Sequence, residues 1–186
     1  MQVATTFKPK DKTAWRFWLE EHHATANEIW LLFDDRPEEP TVSCLDAVEE
    51  AICLGWIDSI QKRHSLYEDA QRFTPRKKRS NWTERNKERA RRLIRLGLMT
   101  NAGRATLPDL NVRFVVAEDI VAALKAEPIA WSNFLSFPEL YRKVRIGYIE
   151  EARKNQSEFE RRLHKFVKQT AANQMFGNWN DGGRLG

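Results

Sequence analysis

Ala51-Ile52-Cys53-Leu54-Gly55-Trp56-Ile57-Asp58, followed a short way on by Arg72-Phe73-Thr74-Pro75-Arg76-Lys77-Lys78-Arg79-Ser80-Asn81-Trp82, is the stretch that decides the fold. A helical period stops at Gly55, where a left-handed residue can close a last turn, and an alternating period begins. Trp56, Asp58 and Ile60 point to one side of an extended run, with Ile57, Ser59 and Gln61 on the other. A second run over 69–74 follows His64-Ser65-Leu66-Tyr67, so the two are predicted to form a hairpin that Pro75 ends.

Upstream, Ser43 is placed to cap a helix through Leu54, with Leu45, Val48 and Ile52 inward. Asp11 caps an earlier helix whose Trp15, Trp18, Leu19 and His22 share one face. Between them, Glu28-Ile29-Trp30-Leu31-Leu32-Phe33 reads as a central strand covered on both faces, and Asp34-Asp35-Arg36-Pro37-Glu38-Glu39-Pro40 as a loop. Trp30, Trp56 and Trp82 are expected in the core.

Downstream, Ser80 or Asn81 is expected to cap a helix with Glu84 in the capping-box position, burying Trp82, Asn86, Ala90, Leu93, Ile94 and Gly97. The pattern over 100–117 predicts little regular structure. Beyond it come a helix over 118–127, a break at Pro128 with a short turn through Phe134, and a helix opening at Pro138. A last helix is capped by Ser157 and Glu160, and the Gly-rich tail from Asn178 is expected to fray. The predicted organisation is a core over 1–103, a connection over 104–117, a helical segment over 118–176 and a tail over 177–186. The fold class expected is α+β: a small, mainly antiparallel sheet covered by helices, with a C-terminal helical extension.

At 186 residues the chain is long enough for one substantial core without disulfide or metal staples. Lys and Arg exceed Asp and Glu by 31 to 26, too slight a surplus for a dedicated nucleic-acid-binding protein, so weak non-specific binding is the third functional reading. No stretch reaches the roughly 20 apolar residues of a membrane helix, and the first ten residues lack a signal-peptide core; the expected compartment is the cytosol. Cys44 and Cys53 fall nine positions apart on one predicted helix, beyond disulfide reach, and are expected as core residues. No pair among the four histidines has zinc-ligand spacing, and no glycine-rich phosphate loop or nucleophile elbow occurs, so no metal and no cofactor are expected.

Two features suggest chemistry. Asp58 shares a strand face with Trp56 and Ile60, where an unpaired charge is costly, and an ion pair with Arg72 or Arg76 is the structural alternative to acid–base work. The basic run Arg76-Lys77-Lys78-Arg79 precedes a predicted helix start, where backbone N–H groups also favour an anion. The candidate ligand-binding set is Trp56, Asp58, Arg72, Arg76, Ser80, Trp82 and Asn86.

The block over 51–58, Arg72 to Lys77, Ser80-Asn81-Trp82, Asn86 and Leu93-Ile94-Arg95-Leu96-Gly97-Leu98-Met99 together resemble the bacterial YdeI/OmpD-associated, or bacteriocin-protection, family. Trp15 to Leu19 and Glu28 to Leu31 fit the same likeness, as do 120–172, with Glu160-Arg161-Arg162 standing where the family has an arginine-rich helix. The chain departs from the family pattern between Gly103 and Glu118 and at Ser157-Glu158-Phe159. The resemblance implies a bacterial protein tied to tolerance of bacteriocins or cationic antimicrobial peptides, a stress response with no assigned reaction. The expectation drawn from residues and resemblance together is a non-catalytic protein that binds an anionic small molecule or anionic protein partner. The alternative is an enzyme with a site around Asp58, Arg76 and Asn86.

Overall fold

The computed structural model describes residues 5–34, 36, 38–66, 68–78 and 80–186. Asp35 and Pro37 of the predicted loop, Tyr67 of the hairpin connection and Arg79 of the basic run lie outside the described residues. The architecture is α+β, with a four-stranded sheet and eight α-helices among the described residues. The chain divides into two compact units, one formed by 1–81 with 89–108 and the other by 82–88 with 109–186.

In the first unit, β1 (Thr6–Phe7), β2 (Ile29–Asp34), β3 (Trp56–Arg63) and β4 (Glu68–Pro75) lie in the order β1-β2-β4-β3. The pairings β2–β4 and β3–β4 are antiparallel as expected, but β1 runs parallel to β2, which makes the sheet mixed. Two residues are too few to show alternation, so β1 left no periodic signal. The hairpin register pairs Asp58 with Phe73, and a bulge falls between Asp58 and Gln61.

Burial along β2 alternates, with Ile29 and Leu31 buried and Trp30 and Leu32 half-buried. The strand is therefore closed on one face only, and Trp30 is not a core residue. Lys62 covers part of its ring at 5.5 Å. Trp56 is 1 % exposed and donates its indole N–H to the His23 carbonyl at 3.1 Å. Trp15 donates to Ala47 O at 3.0 Å, joining α1 (Lys12–His22) to α2 (Cys44–Cys53). Both caps are as expected, Asp11 accepting from Ala14 N and Ser43 from Asp46 N.

Gly55 follows α2 at φ +79°, and a methyl there would sit 2.9 Å from the Ala102 carbonyl. Ala102 belongs to α4 (Asn101–Arg104), a short helix capped by Thr100 in a region where the sequence predicted none. Cys53 is buried, whereas Cys44 is exposed, its thiol donating to Gln71 Oε1 at 3.2 Å. The expectation of two core cysteines therefore fails at Cys44, which is the first residue of α2 and lies before the buried face develops.

α3 (Glu84–Arg95) starts later than predicted. Thr83 caps it, accepting from Asn86 N at 3.1 Å, while Ser80 Oγ accepts from Lys77 N in the turn before. Trp82, Asn86, Ala90 and Leu93 are buried as the stripe predicted, but Gly97, just past the helix at φ +70°, is exposed.

The second unit holds α5 (Glu118–Lys125), α6 (Pro128–Ser136), α7 (Glu139–Glu150) and α8 (Gln156–Ala171). Pro128 opens α6 as its first residue instead of breaking a helix, because its missing N–H costs nothing there. Asn155, two positions before the predicted cap, caps α8 by accepting from Glu158 N. The core of this unit gathers Ile120, Leu124, Phe134, Tyr141, Ile149, Phe159 and Phe166. The tail does not fray: Asp181 and Leu185 are buried and a 3-10 turn spans Asp181–Gly183. Among the described residues, no helix is long and apolar enough to cross a membrane.

Candidate functional site

The sequence-predicted residues fall in both units. Trp56, Asp58, Arg72, Arg76 and Ser80 belong to the first, Trp82 and Asn86 to the second. Asp58 Oδ2 accepts from Gln71 Nε2 at 2.9 Å, which makes Gln71 a bridge between Asp58 and the Cys44 thiol. Arg72 turns away from Asp58 and pairs with Glu28, whose carboxyl this pair holds below its usual range. The strand period explains it: Asp58 lies opposite Phe73, so Arg72, one residue off, projects from the other sheet face.

Arg76 is buried at the end of β4, its backbone N–H bonded to Gly55 O at 2.8 Å and its Nη1 to Asn81 O at 3.3 Å. Burial pushes its pKa down to about 10, against the pull of Asp58. Lys77 and Lys78 after it are exposed. The helix N-terminus expected beside Ser80 is at Glu84 instead.

A second constellation was missed by the sequence reading. Within the second unit, α7 contributes Arg145, Tyr148 and Ile149, α8 contributes Arg161, Arg162, Lys165 and Phe166, and the chain after α8 contributes Phe176 and Gly177. Together they line a cleft of about 250 Å³. Arg145 and Tyr148 are three apart on α7, and Arg161 and Lys165 four apart on α8, so helical geometry sets each pair on one face. The sequence marks Glu160-Arg161-Arg162 only as part of the family likeness and places Phe176 at the last position of the helical segment, with no site at either.

The electrostatics of this cleft are unbalanced. Glu158 accepts from Arg161 Nε and from Arg162 Nε, both at 2.7 Å, so one carboxylate answers two guanidiniums and is held down to about 2. Arg162 also donates to Tyr148 O at 2.6 Å and stacks over the Tyr148 ring at 3.8 Å, which fixes its plane. Lys165 and Arg145 have no ion pair among the described residues, and each lies 5.2 Å from the centre of the Phe176 ring.

Arg145 makes no hydrogen bond either among the described residues, and its Nε is fully buried. Burial lowers its pKa first of all, with the neighbouring Arg85 acting in the same direction. A second hollow of about 340 Å³ in the same unit, lined by Arg85, Glu84 and Glu151 among others, shares Arg145, Tyr148 and Gly177 with the cleft. A half-buried guanidinium that gains no carboxylate costs free energy unless something else supplies negative charge.

Among the described residues no group of three or more His, Cys, Asp or Glu is arranged to hold a metal. What the cleft offers is hydrogen-bond donors and positive charge beside aromatic rings, a surface suited to holding an anion.

The chain is thus an α+β protein with a small mixed sheet and a helical unit that carries a cationic, aromatic cleft. It belongs to the family described as a domain of unknown function, DUF8412, whose model matches residues 7–106, more than half of the chain. Residues 113–173, about a third of the chain, match the family described as "Bacteriocin-protection, YdeI or OmpD-Associated". The resemblance is therefore supported in the C-terminal region, where the sequence departs from the pattern twice, while the blocks between 51 and 99 that first carried it fall in the other match. No curated protein and no solved structure matches the chain.

Proposed function

We propose that this is a cytosolic, non-catalytic binding protein whose ligand is an anion or an anionic partner, and that it serves tolerance of bacteriocins or cationic antimicrobial peptides. The observation that carries the reading is Arg145, a half-buried guanidinium with no ion pair among the described residues. It stands in a cleft where Lys165 is likewise unpaired and Arg161 and Arg162 share one carboxylate. All but Phe176 and Gly177 of the lining lies inside the segment that matches the bacteriocin-protection family. An anion bound there supplies the missing counter-charge, and fixed guanidiniums hold it with little reorganisation.

The test is thermal stability in phosphate against chloride at equal ionic strength, which removes general screening. A ligand that binds only the folded state raises the melting temperature by mass action, whereas exclusion of phosphate from the protein surface raises it in every variant alike. The specific part should vanish in Arg145→Gln and Lys165→Gln and persist in Arg76→Gln. If Arg76→Gln alone removes it, the anion sits at the end of β4 and the cleft is not the site. If wild type answers phosphate and chloride identically, the anion reading falls. The physiological half is tested separately: a strain lacking the protein should die at lower doses of a cationic peptide, and the Arg145→Gln form should fail to restore it.

A further inference from the structure

The cleft has two halves of different chemistry, and an inorganic anion satisfies only one. On one side are the cations Arg145, Arg161 and Lys165, with Arg162 locked over Tyr148. On the other are the Phe176 and Tyr148 rings, with Phe166 and Ile149, each 1 % exposed, enclosed behind them. A phosphate ion set against Arg145 would give up water on its apolar side and receive nothing there in return.

Size argues the same way. A cavity of about 150 Å³ accommodates a benzene ring. The cleft, at about 250 Å³, has room for one ring together with one compact charged group. The charge balance limits the head: four cations stand against Glu158 and, from the neighbouring hollow, Glu151, so a singly or doubly charged group is neutralised without excess. The planes of Arg145 and Arg162 are also surfaces on which an aromatic ring stacks, as they already do on Phe176 and Tyr148.

Resting on the anion reading of this same cleft, we infer that its ligand is a small molecule joining one aromatic ring to one anionic group, an aryl phosphate or aryl carboxylate. The anionic group lies between Arg145 and Lys165, and the ring lies against the Phe176 and Tyr148 rings. Specificity then comes from the distance between charge and ring, since a long flexible acid cannot place both.

Titration calorimetry at fixed ionic strength with phenyl phosphate, inorganic phosphate and phenol tests this. Phenyl phosphate should bind at least tenfold tighter than inorganic phosphate, and phenol weaker than phenyl phosphate by a similar factor. Phe176→Ala should erase the margin of phenyl phosphate over phosphate and leave phosphate itself bound; Lys165→Gln should weaken both phosphates together. Should Phe176→Ala fail to fold, Phe176→Leu, which keeps an apolar side chain of similar length, is expected to shrink the margin without abolishing it. Equal affinity for phenyl phosphate and inorganic phosphate overturns the aromatic inference while the anion reading stands. A margin that survives the Phe176 variants and Tyr148→Ala overturns it too, because the ring is then bound elsewhere. No binding of either phosphate removes the anion reading and this inference with it.

Discussion

Gly177 is fitted to Arg145: a methyl group built on its Cα would stand 2.7 Å from Arg145 Nη1, and the residue holds φ at +71°. The turn after α8 thus brings backbone against the guanidinium with no side chain between them.

Gly177→Ala is accordingly expected to cost about 1 to 2 kcal/mol, the usual penalty for a left-handed residue with a Cβ. It should also displace Arg145 and reduce the phosphate-specific stabilisation. Denaturant unfolding with and without phosphate measures both, and an unchanged phosphate response would separate the turn from the cleft.

Trp56 and Trp30, two of the four tryptophans of the first unit, should respond unequally. Trp56→Ala is expected to cost about 3 to 5 kcal/mol, since it empties a fully enclosed site and leaves the His23 carbonyl without its donor. Trp30→Ala, from the half-open face of β2, should cost about 1 to 2 kcal/mol. Equal losses in urea unfolding would contradict the one-sided burial of that strand.

Acid should find the α8 charge cluster. Glu158 in the folded protein is held near 2 by Arg161 and Arg162, below its ordinary value, so its stabilising contribution is complete above about pH 4.5 and disappears as the pH falls toward 2. Melting curves through this window should be flatter for Glu158→Gln than for wild type. The cluster is exposed at Arg161, so added salt should shrink the difference.

The thiols give a simple count of accessibility. Cys53 is buried and its pKa pushed up to about 12, chiefly by desolvation, while Cys44 is exposed though its pKa is also raised. A thiol reagent at pH 8 should modify Cys44 slowly and Cys53 only after denaturation. Modification of both in the native protein would contradict the placement of α2.

A chelator is expected to leave the melting temperature unchanged, because no set of three ligating side chains is assembled among the described residues. Stoichiometric zinc in the purified protein would overturn this.

The fold of the first unit was legible where local chemistry and burial agree. Asp11 and Ser43 each cap the helix that their sequence context announces, and Gly55 ends α2 where the period changes. The hairpin was visible as alternation; β1 was not, since its partner lies more than twenty residues away and only the register reveals it. Thr83 was passed over as a cap because Ser80 and Asn81 offer the same side-chain chemistry a few positions earlier, and the turn from Lys77 to Ser80 uses that chemistry first. The cleft was hidden for a different reason. Its lining comes from three stretches of the second unit, and no spacing along the chain relates Arg145 to Lys165 or either to Phe176. The pairs within α7 and within α8 could be read, but a cationic helical face gives the same pattern whether it meets water or a ligand.

The end of α2 carries an implication for the order in which the molecule assembles. Cys53 O accepts from both Thr100 N at 3.1 Å and Thr100 Oγ1 at 2.6 Å, and Gly103 lies so close that any side chain there would collide with the same carbonyl. That closure joins residues 47 positions apart, with the whole β3–β4 hairpin and α3 inside the loop. The hairpin's contacts are short-range and quick to form, whereas this lock must wait for a long excursion of chain to return. Amide exchange at Thr100 should therefore gain protection after the hairpin amides during refolding, which makes α4 the last latch of the first unit rather than a seed for it.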